Sequence, residues 1–103
     1  MKKILIVEDN KDSREILGLF VTKVGYQVIK ASNSREAITQ AEAECPDLIL
    51  MDLDLPDADG IKTTAILKKN PKTSHIPVVA VTAWMSALSD VSTIRGTGFE
   101  SGY

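Results

Sequence analysis

The chain has 103 residues, with 14 acidic and 12 basic side chains and a formal charge of −2, which suits one domain spanning residues 1–103. Its composition, 44% apolar and 25% charged, is that of a globular domain and excludes a disordered chain. So balanced a charge argues against a broad nucleic-acid footprint, and no direct nucleic-acid binding is expected. The first element is a strand, Lys3 to Val7, a short apolar run that ends in acids. From Asp12 to Val24 the apolar residues Ile16, Leu17, Phe20, Val21 and Val24 recur at helical spacing, and Gly25 supplies the stop. Gln27 to Ala31, rich in β-branched residues, reads as the second strand. Asn33-Ser-Arg-Glu36 resembles a capping box and opens a helix that turns Ala37, Ile38 and Ala41 inward before Pro46.

The third strand, Asp47 to Met51, is apolar on both faces. Asp59 can cap a third helix from Gly60 to about Lys69, ending before Asn70-Pro71. Pro77 to Val81 is a fourth apolar strand, and about Met85 to Arg95 a fourth helix with Leu88, Val91 and Ile94 spaced by three. Strands without polar alternation belong to a sheet buried on both faces. The order β-α-β-α-β-α-β-α therefore predicts an α/β fold with a parallel sheet and right-handed crossovers.

The longest apolar run, Ile76 to Val81, is far shorter than the ~18 residues of a membrane span. The opening Met1-Lys2-Lys3 imitates a signal peptide, but Glu8 and Asp9 break the apolar stretch. A cytoplasmic protein with no membrane association is expected. Cys45, the single cysteine, has neither a disulfide partner nor zinc-ligand companions, and His75 stands alone in a Lys-Thr-Ser-His loop. Neither residue carries an expected site.

Ligands of parallel α/β sheets bind beyond the carboxyl ends of the strands. The first strand is followed by Glu8-Asp9-Asn10, the third by Asp52-Leu-Asp54-Leu-Pro-Asp57-Ala-Asp59-Gly60, and the fourth by Thr82-Ala83. If the first and third strands are neighbours, Glu8, Asp9 and Asp52 converge. Their mutual repulsion raises one pKa unless a cation intervenes. A hard divalent ion, Mg²⁺ above all, suits such a set of oxygens. A carboxylate beside such an ion can act as a nucleophile toward phosphorus, and Asp52 at the strand terminus is best placed. Acids at strand ends also cap helices. That simpler role fits Asp57 and Asp59 at the third helix, and Asp9 or Asp12 at the first. An EF-hand is excluded, because counting from Asp52 puts Asp57 where glycine is needed and Thr63 where the bidentate glutamate belongs.

Lys3-Ile-Leu-Ile-Val-Glu-Asp-Asn10, Pro46-Asp-Leu-Ile-Leu-Met-Asp-Leu-Asp-Leu-Pro56 through Gly60, and Ile76-Pro-Val-Val-Ala-Val-Thr-Ala83 together resemble the receiver domain of two-component response regulators, of the chemotaxis-like single-domain kind. The resemblance implies a flavodoxin-like, doubly wound sheet of strand order 2-1-3-4-5. It implies that Asp52 is the phosphoryl acceptor and that Asp9 and Asp52 are side-chain Mg²⁺ ligands. It further implies that Asp54 supplies a backbone carbonyl ligand and that Glu8 holds the metal's water shell. Thr82 matches the hydroxyl residue that contacts the phosphoryl oxygen, and Tyr103 the aromatic position that follows it in the switch. The implied donor is a phosphohistidine on a sensor histidine kinase or a histidine phosphotransfer protein. The resemblance also places a Lys-Pro step, a fifth strand and a last helix beyond Tyr103, and the sequence has no lysine after Lys72. The expectation is a C-terminally incomplete receiver domain, slow to label and prone to dimerise or swap strands through its open Phe20 side. Two alternatives stand beside it. One is a non-signalling interaction module of the same fold. The other is a phosphatase of the haloacid-dehalogenase type, whose Asp-x-Asp signature Asp52-Leu-Asp54 imitates.

Overall fold

The computed structural model describes residues 2–52 and 55–80. Within them run β1 (Lys3–Val7), α1 (Lys11–Lys23), β2 (Gln27–Ala31), α2 (Ser34–Glu44), β3 (Leu48–Met51), α3 (Gly60–Lys69) and β4 (Val78–Ala80). The strands form one sheet of order β2-β1-β3-β4, with all three pairings parallel. This is the flavodoxin-like order expected, with the two most apolar early strands in the middle. The expected fourth helix, with Leu88, Val91 and Ile94, lies outside the described residues. No helix among the described residues is long and apolar enough to cross a membrane.

The period-2 alternation of the strands divides the core into two layers. Leu5, Val7, Ile49, Met51 and Val78 point to the side covered by α2 and α3, where they pack with Ala37, Ala41 and Leu67. Ile4, Ile6, Leu50 and Val79 point to the other side and meet Leu17 and Val21 of α1. Strands buried on both faces have no polar face to spare, which accounts for their unbroken apolar sequence.

The helix α1 divides the apolar face read from the sequence. Leu17 and Val21 are buried, while Ile16, Phe20 and Val24 are 50%, 43% and 57% exposed, Phe20 on the open side expected of it. They lie one helical step, about 100°, round from the line that meets the sheet, and no described element covers them. The helix is capped by Asn10, whose side chain accepts from the Ser13 N–H at 2.9 Å, not by Asp9 or Asp12. Both acids are thus left out of the cap, and Asp9 is free for the cluster described below. At the other end Gly25 takes φ +105°, and the N–H groups of Gly25 and Tyr26 donate to Thr22 and Val21 carbonyls. This is the paired closure that a left-handed residue permits.

The capping box of α2 forms by half. Asn33 accepts from the Glu36 N–H at 2.8 Å, but the Glu36 carboxylate takes the N–H and hydroxyl of Ser32, at 2.7 and 2.8 Å. Cys45 ends the helix in a left-handed conformation at φ 47° and is exposed. Asp59 caps α3 as expected, accepting from the Lys62 N–H at 2.7 Å. Asp57 does not cap α3. Its carboxylate crosses to α2 and accepts from the N–H groups of Ser34 and Arg35.

Candidate metal and phosphoryl site

The register of β1 on β3 builds the site. Ile4, Ile6 and Val7 lie opposite Leu48, Leu50 and Met51, so the next residues on each chain, Glu8 and Asp52, leave the sheet side by side. The Asp52 N–H still donates to the Val7 carbonyl at 2.9 Å, and the Glu8 N–H to that of Ala31 at 3.0 Å. The backbone is therefore held by the sheet up to the point where the acids begin. One carboxylate oxygen from each of Glu8, Asp9 and Asp52 lies within 4.8 Å of the other two. Glu8 is buried, Asp52 half-buried and Asp9 exposed, so the cluster opens to solvent on the Asp9 side.

The cost of the cluster falls on Glu8. Burial pushes its carboxyl up to about 7, against one lowering contribution from the Asn10 N–H, and hydrogen bonding and repulsion from Asp52 add to the rise. The Asn10 N–H donates to Glu8 Oε2 at 3.1 Å. Arg14 turns back from the first turn of α1 and donates to the carbonyls of Glu8 and Asp9, at 2.8 and 3.4 Å. It fixes the loop without neutralising the carboxylates. Three oxygens that close, of which one is driven toward its neutral form, match the demand of a hard divalent cation for several anionic oxygens with room for water. The donor set contains no nitrogen or sulfur ligand and so disfavours zinc or copper.

A stability profile follows from Glu8. Its folded pKa lies above the unfolded value, so its contribution is intact near pH 4.5 and is lost as pH rises through about 7. Without divalent cations the chain should lose on the order of 1–2 kcal/mol between those limits, less than the full linkage value because the pocket opens to water. Glu8→Gln should flatten this part of the profile. Urea unfolding at stepped pH, with a chelator present, makes the comparison; equal slopes in the two proteins would remove Glu8 as the cause.

Of the residues singled out in the sequence, Glu8, Asp9 and Asp52 are brought together, while Asp54, Thr82 and Tyr103 lie outside the described residues. Two contributors escaped sequence reading. Arg14 gave only the signal of a cation four residues after a cap, and Asp57 was read as an α3 cap. Asp57 Oδ1 and Oδ2 accept from the Ser34 and Arg35 N–H groups at 2.7 and 3.1 Å. These bonds, that from Ser34 foremost, hold the Asp57 carboxyl below the usual carboxylate range.

The fold and the pocket have known counterparts. The response regulator receiver domain family matches residues 4–99. The polar-differentiation response regulator DivK of Brucella anthropi is 39% identical over 100 residues, covering 97% of this chain and 80% of that protein. Among solved structures, the receiver domain of a histidine kinase from Syntrophus aciditrophicus is 36% identical with a TM-score of 0.75 over 80% of this chain. This chain spans 62% of that solved chain. The receiver domain of sensor histidine kinase PA1611 from Pseudomonas aeruginosa, which has a magnesium ion coordinated in its active-site cleft, is 30% identical with a TM-score of 0.76, covering 90% of this chain and 75% of that one. Sheet order, family match and relatives agree: the chain belongs to the response regulator receiver domains of two-component systems, which are regulatory modules.

Proposed function

We propose that residues 1–103 belong to one receiver domain that accepts a phosphoryl group on Asp52, with Mg²⁺ held in the acidic pocket and a sensor histidine kinase or histidine phosphotransfer protein as donor. The observation that supports this reading is the convergence of Glu8, Asp9 and Asp52 within 4.8 Å. Asp9 and Asp52 bind the ion directly and the buried Glu8 acts through its water. Asp54, Thr82 and Tyr103 take the carbonyl-ligand, phosphoryl-contact and switch roles that their motif positions imply. A bound Mg²⁺ supplies charge screening between the carboxylate and the incoming phosphoryl oxygens. One Asp52 oxygen attacks phosphorus; the new O–P bond forms as the P–N bond to the donor histidine breaks, and the imidazole leaves with the bonding pair. The half-buried position of Asp52 leaves one side open for an in-line approach.

Two measurements test this. Calorimetric titration should show Mg²⁺ binding that Asp9→Asn weakens about tenfold, equivalent to ~1.4 kcal/mol. Incubation with acetyl phosphate should add one phosphoryl mass with Mg²⁺ present and none in excess chelator. Labelling that ignores the chelator would overturn the metal's part, and an unchanged titration in Asp9→Asn would remove Asp9 as a ligand.

A further inference from the structure

We propose that Asp57 is a positioning residue for the acidic pocket: its carboxylate clamps the loop leaving Asp52 onto the N-terminus of α2. The inference rests on the receiver reading above and extends it to a residue outside the metal and phosphoryl contacts.

The described residues on either side of positions 53 and 54 are held in place. Asp52 keeps its N–H on the Val7 carbonyl at 2.9 Å. Leu55 is buried at 8% exposure and packs in the core layer with Ala37 and Leu67. Pro56 restricts its own φ. Asp57 then spans two successive N–H groups of α2, Ser34 at 2.7 Å and Arg35 at 3.1 Å. Asn33 takes the next N–H, from Glu36, at 2.8 Å on its side chain, and the following one, from Ala37, at 3.0 Å on its carbonyl. The Ala37 bond is the first of the helix's own; the N–H groups of Ser34, Arg35 and Glu36, which have no partner within the helix, are all taken, two of them by Asp57. Beside this clamp the hydroxyls of Ser34 and Thr63 meet at 2.7 Å, and Thr63 also donates to the Asp59 carbonyl at 3.0 Å. These bonds tie α2, α3 and the segment 55–59 to one another.

Only four residues separate Asp52 from Asp57, so the covalent chain ties the position of one to that of the other. Releasing Asp57 frees the backbone next to Asp52, and three carboxylates must then be gathered by the cation instead of being presented to it. Partners that orient metal ligands commonly govern affinity by about tenfold or more. The cation restores the geometry once bound, so the loss belongs in affinity and not in the rate at saturation.

The experiment titrates Mg²⁺ calorimetrically into wild type, Asp57→Ala, Asp57→Asn, Ser34→Ala and Ser34→Pro, with acetyl phosphate labelling at saturating Mg²⁺ and urea unfolding of each. Ser34→Ala removes the hydroxyl that meets Thr63; proline, which suits the first helical position, removes that hydroxyl and also the N–H that Asp57 accepts, so the difference between the two variants isolates the N–H. The expected result is affinity about tenfold weaker in Asp57→Ala, partly recovered in Asp57→Asn, and weaker in Ser34→Pro than in Ser34→Ala. The labelling rate at saturating Mg²⁺ should match wild type throughout, which a merely structural loss would not allow. Because Ser34→Pro keeps the Asp57 charge, it separates the clamp from simple electrostatics. If Asp57→Ala fails to fold, Ser34→Pro against Ser34→Ala decides. A wild type that binds Mg²⁺ while the folded Asp57 and Ser34→Pro variants equal their references overturns the clamp alone. A wild type that neither binds Mg²⁺ nor labels overturns the receiver reading and the clamp with it.

Discussion

Asp52→Asn should abolish phosphoryl labelling of this chain, a fall on the order of 10³-fold or more, since the attacking oxygen pair is lost. The amide keeps the size of the side chain and removes its nucleophilic charge, so the sheet beneath, where the residue 52 N–H bonds the Val7 carbonyl, is undisturbed. It also removes one of the charges that raise Glu8, and the variant should therefore be at least as stable as wild type above neutral pH. Intact mass after incubation with acetyl phosphate and Mg²⁺, followed by peptide mapping, reads the result. A label persisting in Asp52→Asn, mapped to Asp9 or to any other acid, would sink the assignment of the acceptor.

The largest effect on folding should come from β3, the strand that delivers Asp52. Ile49 is fully buried and sits between Leu5 of β1 and Val78 of β4 in register. Truncation to alanine leaves a cavity between sheet and helices and costs about 2–5 kcal/mol, a large share of the ~5–15 kcal/mol available to a domain. Ile66, half-exposed on α3, is the control: Ile66→Ala should change stability by no more than about 0.5 kcal/mol. Urea unfolding makes the comparison, and Mg²⁺ binding should disappear with the fold in Ile49→Ala. Equal midpoints for the two variants would contradict the layered core described above.

The receiver signature was legible because each of its pieces is local. An apolar strand followed by acids needs no knowledge of the rest of the chain, and Lys3 to Val7 and Gln27 to Ala31 begin and end where the sequence pattern put them. β3 and β4 start one residue later than read, at Leu48 and Val78; Pro77 cannot donate to a ladder. Helix faces were less legible. Periodicity alone gave Ile16, Phe20 and Val24 the same standing as Leu17 and Val21, because it reports spacing and not which side meets a sheet. The capping of α2 shows the same limit: Asn33 was found from its neighbours, while Asp57, 23 residues from Ser34, was assigned to the nearer helix.

What the sequence determined by itself is therefore the order of elements, the parallel sheet implied by doubly apolar strands, and the acids at the strand ends, all written at short range in hydrophobic period and turn chemistry. The tertiary structure alone decided three things. It set β1 against β3 in a register that brings Glu8 and Asp52 together. It burial-raised Glu8 while leaving Asp9 in water. It also sent the Asp57 carboxylate to α2 instead of α3. The reason is common to all three: desolvation and hydrogen bonding across long sequence separations depend on which surfaces meet, and a one-dimensional pattern does not encode that.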